Sequence, residues 1–186
     1  MSSPSVQSIY EDLCRKPSDI NEHLPTLKML AGDCSSVIEM GVRSVVSTWA
    51  FAEAKPDKLI SIDIKNPSEF GQDLEFVTRV IRNEGIDFTF IQADTRQCEI
   101  EETDLLFIDT WHVYDQLKIE LEKHGNKARK FLAFHDTVTF AQNGESPGHR
   151  GLMPAIEEFL EANPHWQIKH HYTNNNGLLV LERISD

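Results

Sequence analysis

The stretch Val37-Ile-Glu-Met-Gly41-Val-Arg-Ser-Val-Val-Ser-Thr-Trp49 sets the architecture of the chain. Its first half is a short apolar run that stops at Gly41, as a buried strand does. Its second half suits a helix over 44–54, with Val45, Thr48, Trp49 and Ala52 able to share one face. A strand, a tight turn and a helix in that order make one βα unit, and the pattern repeats downstream. Strands are expected at 58–63, 88–91, 105–108 and 131–134. Helices are expected after a cap at Ser68, with Leu74, Val77, Val80 and Ile81 on one face, and over 113–122.

The segment 137–150 carries Gly144, Pro147 and Gly148 and reads as a flexible loop placed to cover a site. A helix over 152–160 follows. Strands at 166–172 and 178–182 then flank the turn Asn174-Asn-Asn-Gly177. Such an order implies an α/β, Rossmann-like, doubly wound sheet of about seven mostly parallel strands, covered by helices on both faces. The last hairpin inserts one antiparallel strand. Two helices, 6–16 and 19–31, precede it, the second with a capping-box-like start at Ser18-Asp-Ile-Asn-Glu22. Residues 1–33 therefore read as a helical arm on the core, and 34–186 as the main domain.

Composition narrows the function. The 186 residues hold 18 Lys plus Arg against 30 Asp plus Glu, a formal charge of -12, which disfavours a face that tracks nucleic-acid phosphates. No apolar run is long enough to span a bilayer. The three cysteines, Cys14, Cys34 and Cys98, form no C-x-x-C pair, and the N-terminus lacks a charged, apolar leader. A reducing, cytoplasmic setting is the expectation.

In open α/β sheets, ligands bind beyond the carboxyl ends of the strands. There the chain places Glu39 with Gly41, then Asp63, Asp94, Asp109 with His112, and His135 with Asp136. Gly41 lets backbone approach a ligand, and the helix near Ser44 offers free N–H groups. Arg43 and Val46 occupy the positions of the second and third glycines of G-x-G-x-x-G, which weighs against a nicotinamide-dependent oxidoreductase. Asp63 suits a ribose diol, and Asp94 suits a donor such as an amino group. Asp109-Thr-Trp-His112 sets an acid and an imidazole on one cleft, where His112 can act as a general base. With Asp136 and His135 from the next strand, a divalent cation is an option.

These residues resemble a known family. The segment 37–49 resembles the glycine-rich first motif of class I S-adenosylmethionine-dependent methyltransferases. Phe107-Ile-Asp-Thr-Trp-His-Val-Tyr114 is similar to a fourth-strand motif written Phe-Ile-Asp-Gly-x-His-x-Tyr. That motif marks a branch of small-molecule and sugar O-methyltransferases and cephalosporin-hydroxylase-like proteins. Phe134-His-Asp-Thr137 and Asn176-Gly-Leu-Leu-Val-Leu181 fit the same branch.

The resemblance implies S-adenosylmethionine as cofactor, held by Glu39, Gly41, Val42, Arg43 and Ser44. It also implies Asp63 with Ile64 at the ribose, Asp94 with Thr95 at the adenine, and Asp109. It implies His112 and Asp109 in catalysis, and Mg2+ on Asp109, His135 and Asp136 in metal-dependent members. The acceptor would be a small molecule or sugar, and the arm offers a surface for a homo-oligomer. Val45 stands where relatives commonly have Gly, and His135 where metal-dependent relatives carry an acid. A non-catalytic binding protein on the same fold is the alternative.

Overall fold

Strand β1 (Ser36–Met40) lies inside a seven-stranded sheet, third from one edge, in the computed structural model, which describes residues 4–184. The others are β2 (Lys58–Asp63), β3 (Asp87–Gln92), β4 (Thr103–Ile108), β5 (Ala128–His135), β6 (Trp166–Tyr172) and β7 (Leu178–Arg183). Their order is β3-β2-β1-β4-β5-β7-β6, with β1 to β5 paired in parallel and β7 antiparallel to both β5 and β6. All six positions of β4 are buried, which is why its stretch Leu105–Ile108 is a continuous apolar run and not an alternating one. The order of strands reverses between β1 and β4, so the crevice that opens there faces their carboxyl ends.

The α-helices among the described residues are α1 (Val6–Arg15), α2 (Leu24–Gly32), α3 (Val46–Glu53), α4 (Leu74–Asn83), α5 (Tyr114–His124) and α6 (Met153–Ala162). Two hydrophobic clusters follow from the strand period. Val37, Leu59, Leu105 and Phe107 pack with buried residues of α1 to α4 on one face. Ile38, Met40, Ile60, Leu106 and Ile108 pack with Leu117, Leu121, Ile156 and Phe159 of α5 and α6 on the other. Among the described residues no helix is long and apolar enough to cross a membrane. Residues 1–3 of the expected arm and 185–186 of the expected main domain lie outside the described residues.

Several element boundaries differ from the sequence reading, each for a local reason. The second helix starts at Leu24, not Asp19, and the Ser18–Glu22 box does not form. Instead the Ser18 N–H donates to Asn21 Oδ1 (3.0 Å), a 3-10 turn covers Asn21–His23, and Glu22 accepts from Asn174 Nδ2 (2.6 Å). Asp73 caps α4 by accepting from the Phe76 N–H (3.0 Å). Ser68 lies in a separate 3-10 turn, Pro67–Phe70, capped by Asn66. Helix α3 begins at Val46, because Val45 takes a left-handed conformation (φ 57°).

The segment 137–151 is a folded loop, not a loose one. The Tyr114 N–H donates to Arg150 O (2.8 Å), Glu145 N–H to His112 O (3.0 Å) and Gly151 N–H to Gln142 O (2.8 Å). The arm is tied to the last hairpin as well. Asn175 accepts from the Glu22 N–H and donates to Ser18 O (3.0 and 2.9 Å).

Candidate active site

A cleft of about 370 Å³ opens at the carboxyl ends of β1, β2 and β4, within the range of small-molecule sites. Its floor begins at Gly41, whose φ of 86° suits glycine. A Cβ there would lie 1.9 Å from Asp109 O, so the turn after β1 rests directly on the end of β4. Arg43 and Val45 also have positive φ, 45° and 57°. A β-branched residue in that region is a strained exception. The Val45 side chain is buried in the hydrophobic cluster, and this burial helps hold the conformation.

The turn presents the N–H groups of Val42 and Arg43 to one oxygen, Asp63 Oδ2, at 2.7 and 2.9 Å. Asp63 Oδ1 accepts from the Lys65 N–H (2.8 Å). Gly41, Val42, Arg43, Ser44, Asp63 and Ile64 all line the cleft. Glu39 does not. It is fully buried behind the turn, where it accepts from Ser47 Oγ, from Thr48 Oγ1 (2.7 Å) and from Ser61 Oγ (2.7 Å). Burial pushes its carboxyl up to about 7, and the three hydroxyls only partly oppose this. Its place is to pin the start of α3 to β1 and β2, a correction to its expected contact with a cofactor.

Asp94 and Thr95 line the far wall. The Asp94 carboxylate is already engaged by Arg96 Nε (3.0 Å), Arg96 Nη2 (2.8 Å) and Gln97 Nε2 (3.2 Å). The Arg96 guanidinium holds that carboxyl below its ordinary range. Thr95 is buried and belongs to a second network. Its Oγ1 donates to Glu120 Oε1. Gln116 Nε2 donates to Glu120 Oε1 (2.7 Å) and to Thr95 Oγ1 (3.1 Å), and Thr110 Oγ1 donates to Glu120 Oε2 (2.8 Å). Burial raises the Glu120 carboxyl, while the three donors act against it.

One end of the cleft combines Asp109, His112 and Asp136. His112 Nε2 lies 3.0 Å from both Asp109 Oδ1 and Asp136 Oδ2, and Nδ1 lies 3.1 Å from Glu145 Oε2. Burial alone would lower the His112 pKa, but these carboxylates raise it. Asp109 is half-buried, and burial would raise its carboxyl, yet His112 and His135 hold it well below the ordinary range. Asp136 reaches the group through a left-handed backbone (φ 60°) just past β5.

Asp109, His112 and Asp136 are close enough to hold one cation. His112 thus stands where the sequence reading put His135. His135 lies underneath, almost wholly buried, with Nε2 on Asn175 O (3.2 Å) and Nδ1 3.4–3.5 Å from Asp136 and Asp109. Burial would lower its pKa, but the two carboxylates override this and push it up to about 10.

The donor set fits a cation. A neutral His112 that gives its Nδ1 proton to Glu145 points its Nε2 lone pair at two carboxylate oxygens. Three converging lone pairs need a proton or a metal ion between them. Two oxygens and one imidazole nitrogen suit Mn2+ or Zn2+ at least as well as Mg2+.

Sequence reasoning missed Asp19 and Ile20 of the arm, Phe70, Trp111, Gln116 and Glu145, all of which line the cleft. Gln116 carried a usable signal, since His112, Gln116 and Glu120 are spaced four apart. Glu145 carried a weaker one, its place in the 137–150 loop, while Asp19 arrives through long-range packing and carried none.

No protein-family model matches the sequence, and no curated protein sequence matches it. Solved structures do match its fold. The O-methyltransferase from Bacillus cereus, in complex with SAH, superposes at a TM-score of 0.64 with 12% identity, covering 98% of this chain and 92% of that one. SAH-bound methyltransferase PaMTH1 from Podospora anserina gives 0.62 and 14%, over 100% and 89%. The O-methyltransferase TomG from Streptomyces achromogenes, in complex with SAM, gives 0.60 and 14%, over 99% and 92%. At these identities the likeness establishes the Rossmann-like fold alone, and function rests on the site.

Proposed function

We propose that this chain transfers a methyl group from S-adenosylmethionine to a hydroxyl of a small molecule, with sugars the first acceptors to try. One observation carries the reading. A glycine turn with inward N–H groups, an acid at the end of β2 and the Asp109–His112–Asp136 group converge on a single cleft. The solved structures of this fold that hold SAH or SAM support it.

The turn 41–44 would pass the methionine part of the cofactor, beside Asp109. Asp63 Oδ1 has accepting capacity left for a ribose hydroxyl, since among the described residues only the Lys65 N–H uses it. The sulfonium is already reactive, so the protein's main task is to align the acceptor oxygen with the methyl carbon. Trp111, exposed at the rim, offers a flat apolar surface for the acceptor.

Glu145 orients His112, fixing Nδ1 as donor and Nε2 as the basic atom that takes the hydroxyl proton. Asp109 and Asp136 would hold a divalent cation, and one that also took His112 Nε2 would occupy the lone pair that the base needs. Bound to the two carboxylates, the cation lowers the pKa of a hydroxyl and offsets the carboxylate charge.

Calorimetric titration with S-adenosylhomocysteine, with and without Mg2+ or Mn2+ and with NAD as control, tests the reading. Micromolar binding with NAD silent supports it, and no binding in any condition overturns it. Near-normal turnover in His112→Ala would remove His112 from the base role.

A further inference from the structure

The wall of the cleft formed by β3's following loop and α5 carries an acceptor whose direction is set by its neighbours. Thr95 Oγ1 has one proton, and it goes to Glu120 Oε1. Thr95 Oγ1 can therefore only accept from Gln116, and Glu120 Oε1 accepts from Gln116 too. Both contacts need the amide NH2. The Gln116 side chain is thereby held one way round, with Nε2 spent inside the network. Its Oε1 accepts from no described group, and the residue lines the cleft. His124 fixes the platform from below, its Nε2 2.8 Å from Thr95 O. Asp94, the other acceptor on this wall, is occupied by Arg96 and Gln97.

We infer that Gln116 reads the exocyclic amino group of the cofactor's purine through its Oε1, and that Glu120 is the positioning residue that fixes the amide. The inference rests on the proposed use of an adenosyl cofactor. The chemistry it selects is a donor at the purine 6-position. A 6-oxo purine would set an acceptor against an acceptor and leave both without a proton. Fold and site geometry alone would make Asp94 the reader, and the Arg96 fork is what assigns the role elsewhere.

The test compares S-adenosylhomocysteine with S-inosylhomocysteine by calorimetry on the full chain. The wild-type protein is expected to prefer the adenosyl form by about 10- to 100-fold, the range in which an unmatched hydrogen-bonding group is rejected. Gln116→Met keeps the length of the side chain without the acceptor, and the preference should fall below about 3-fold. Glu120→Gln keeps the volume but frees the amide to turn over. It should reduce the preference as well, and it serves if Gln116→Met does not fold.

A merely structural role for either residue would weaken both ligands equally and leave the ratio unchanged, which overturns the inference while S-adenosylhomocysteine still binds the wild type. A wild-type protein that binds the two forms equally also overturns it. Failure of the wild type to bind either ligand overturns the proposed function along with it.

Discussion

Replacing Glu39 by Gln should remove a pH dependence of stability that the buried carboxyl creates. Glu39 is fully enclosed, and burial lifts its carboxyl from 4.5 to about 7 in the folded chain. Between those values the folded chain keeps a proton that the unfolded chain has lost. Stability therefore falls as pH rises from 4.5 to about 7, and this contribution is flat outside that window. The difference of 2.5 pH units (7 minus 4.5) corresponds to about 3 kcal/mol at about 1.4 kcal/mol per unit. A glutamine has nearly the same shape and cannot titrate.

Urea unfolding of both proteins, from pH 4.5 to 8.5, isolates the effect, because every other titrating group is shared. The Glu39→Gln protein should gain about 3 kcal/mol relative to wild type across the series, most of it between pH 5 and 7. Parallel stability curves would refute the reasoning. They would mean that Ser47, Thr48 and Ser61 stabilise the charged form as fully as water does. The Glu39→Ala protein separates polarity from charge. It strips the acceptor from three buried hydroxyls and should lose at least about 3 kcal/mol at every pH.

Gly41→Ala sets a Cβ 1.9 Å from Asp109 O, so β4 must shift by about an ångström. Affinity for S-adenosylhomocysteine, read by calorimetry, should fall about 100-fold. Mn2+ at 100 times its dissociation constant should raise the unfolding free energy by about 2.7 kcal/mol, and Asp136→Asn should abolish that gain in thermal melts. Asp104 is buried at the start of β4 and accepts from the Ser35 N–H (2.8 Å) and Arg129 (3.2 Å). Asp104→Ala should cost about 3 kcal/mol in denaturant unfolding, with cofactor affinity unchanged.

The sheet was legible because its inner strands are hidden on both faces, so β1, β2 and β4 announce themselves as apolar runs ended by Gly41, Asp63 and Asp109. Helix starts were less so, because Ser18, Ser44 and Ser68 are all competent caps. Which of several candidates is used depends on a turn or a partner elsewhere, such as Asn174 for the arm. The family resemblance implies Glu39 as a cofactor contact. The two-residue period of a strand puts it on the face of Val37, under α3, and that period was available in the sequence.

The adjacent pair His135 and Asp136 is a harder case. Period alone sends two neighbours to opposite sides of a strand, but it does not say which side meets His112. The left-handed backbone at Asp136 decides it, turning the carboxylate up to the imidazole while His135 stays under the sheet end against Asn175. A non-glycine residue enters that conformation only where its surroundings hold it there. Here the 137–151 loop leaves at once, with Val138 and Thr139 N–H groups both donating to Asn176 O at 2.9 and 3.1 Å. The hairpin turn forty residues on therefore helps select which of two adjacent side chains completes the site. No local pattern encodes that selection, which depends on contacts formed only in the folded chain.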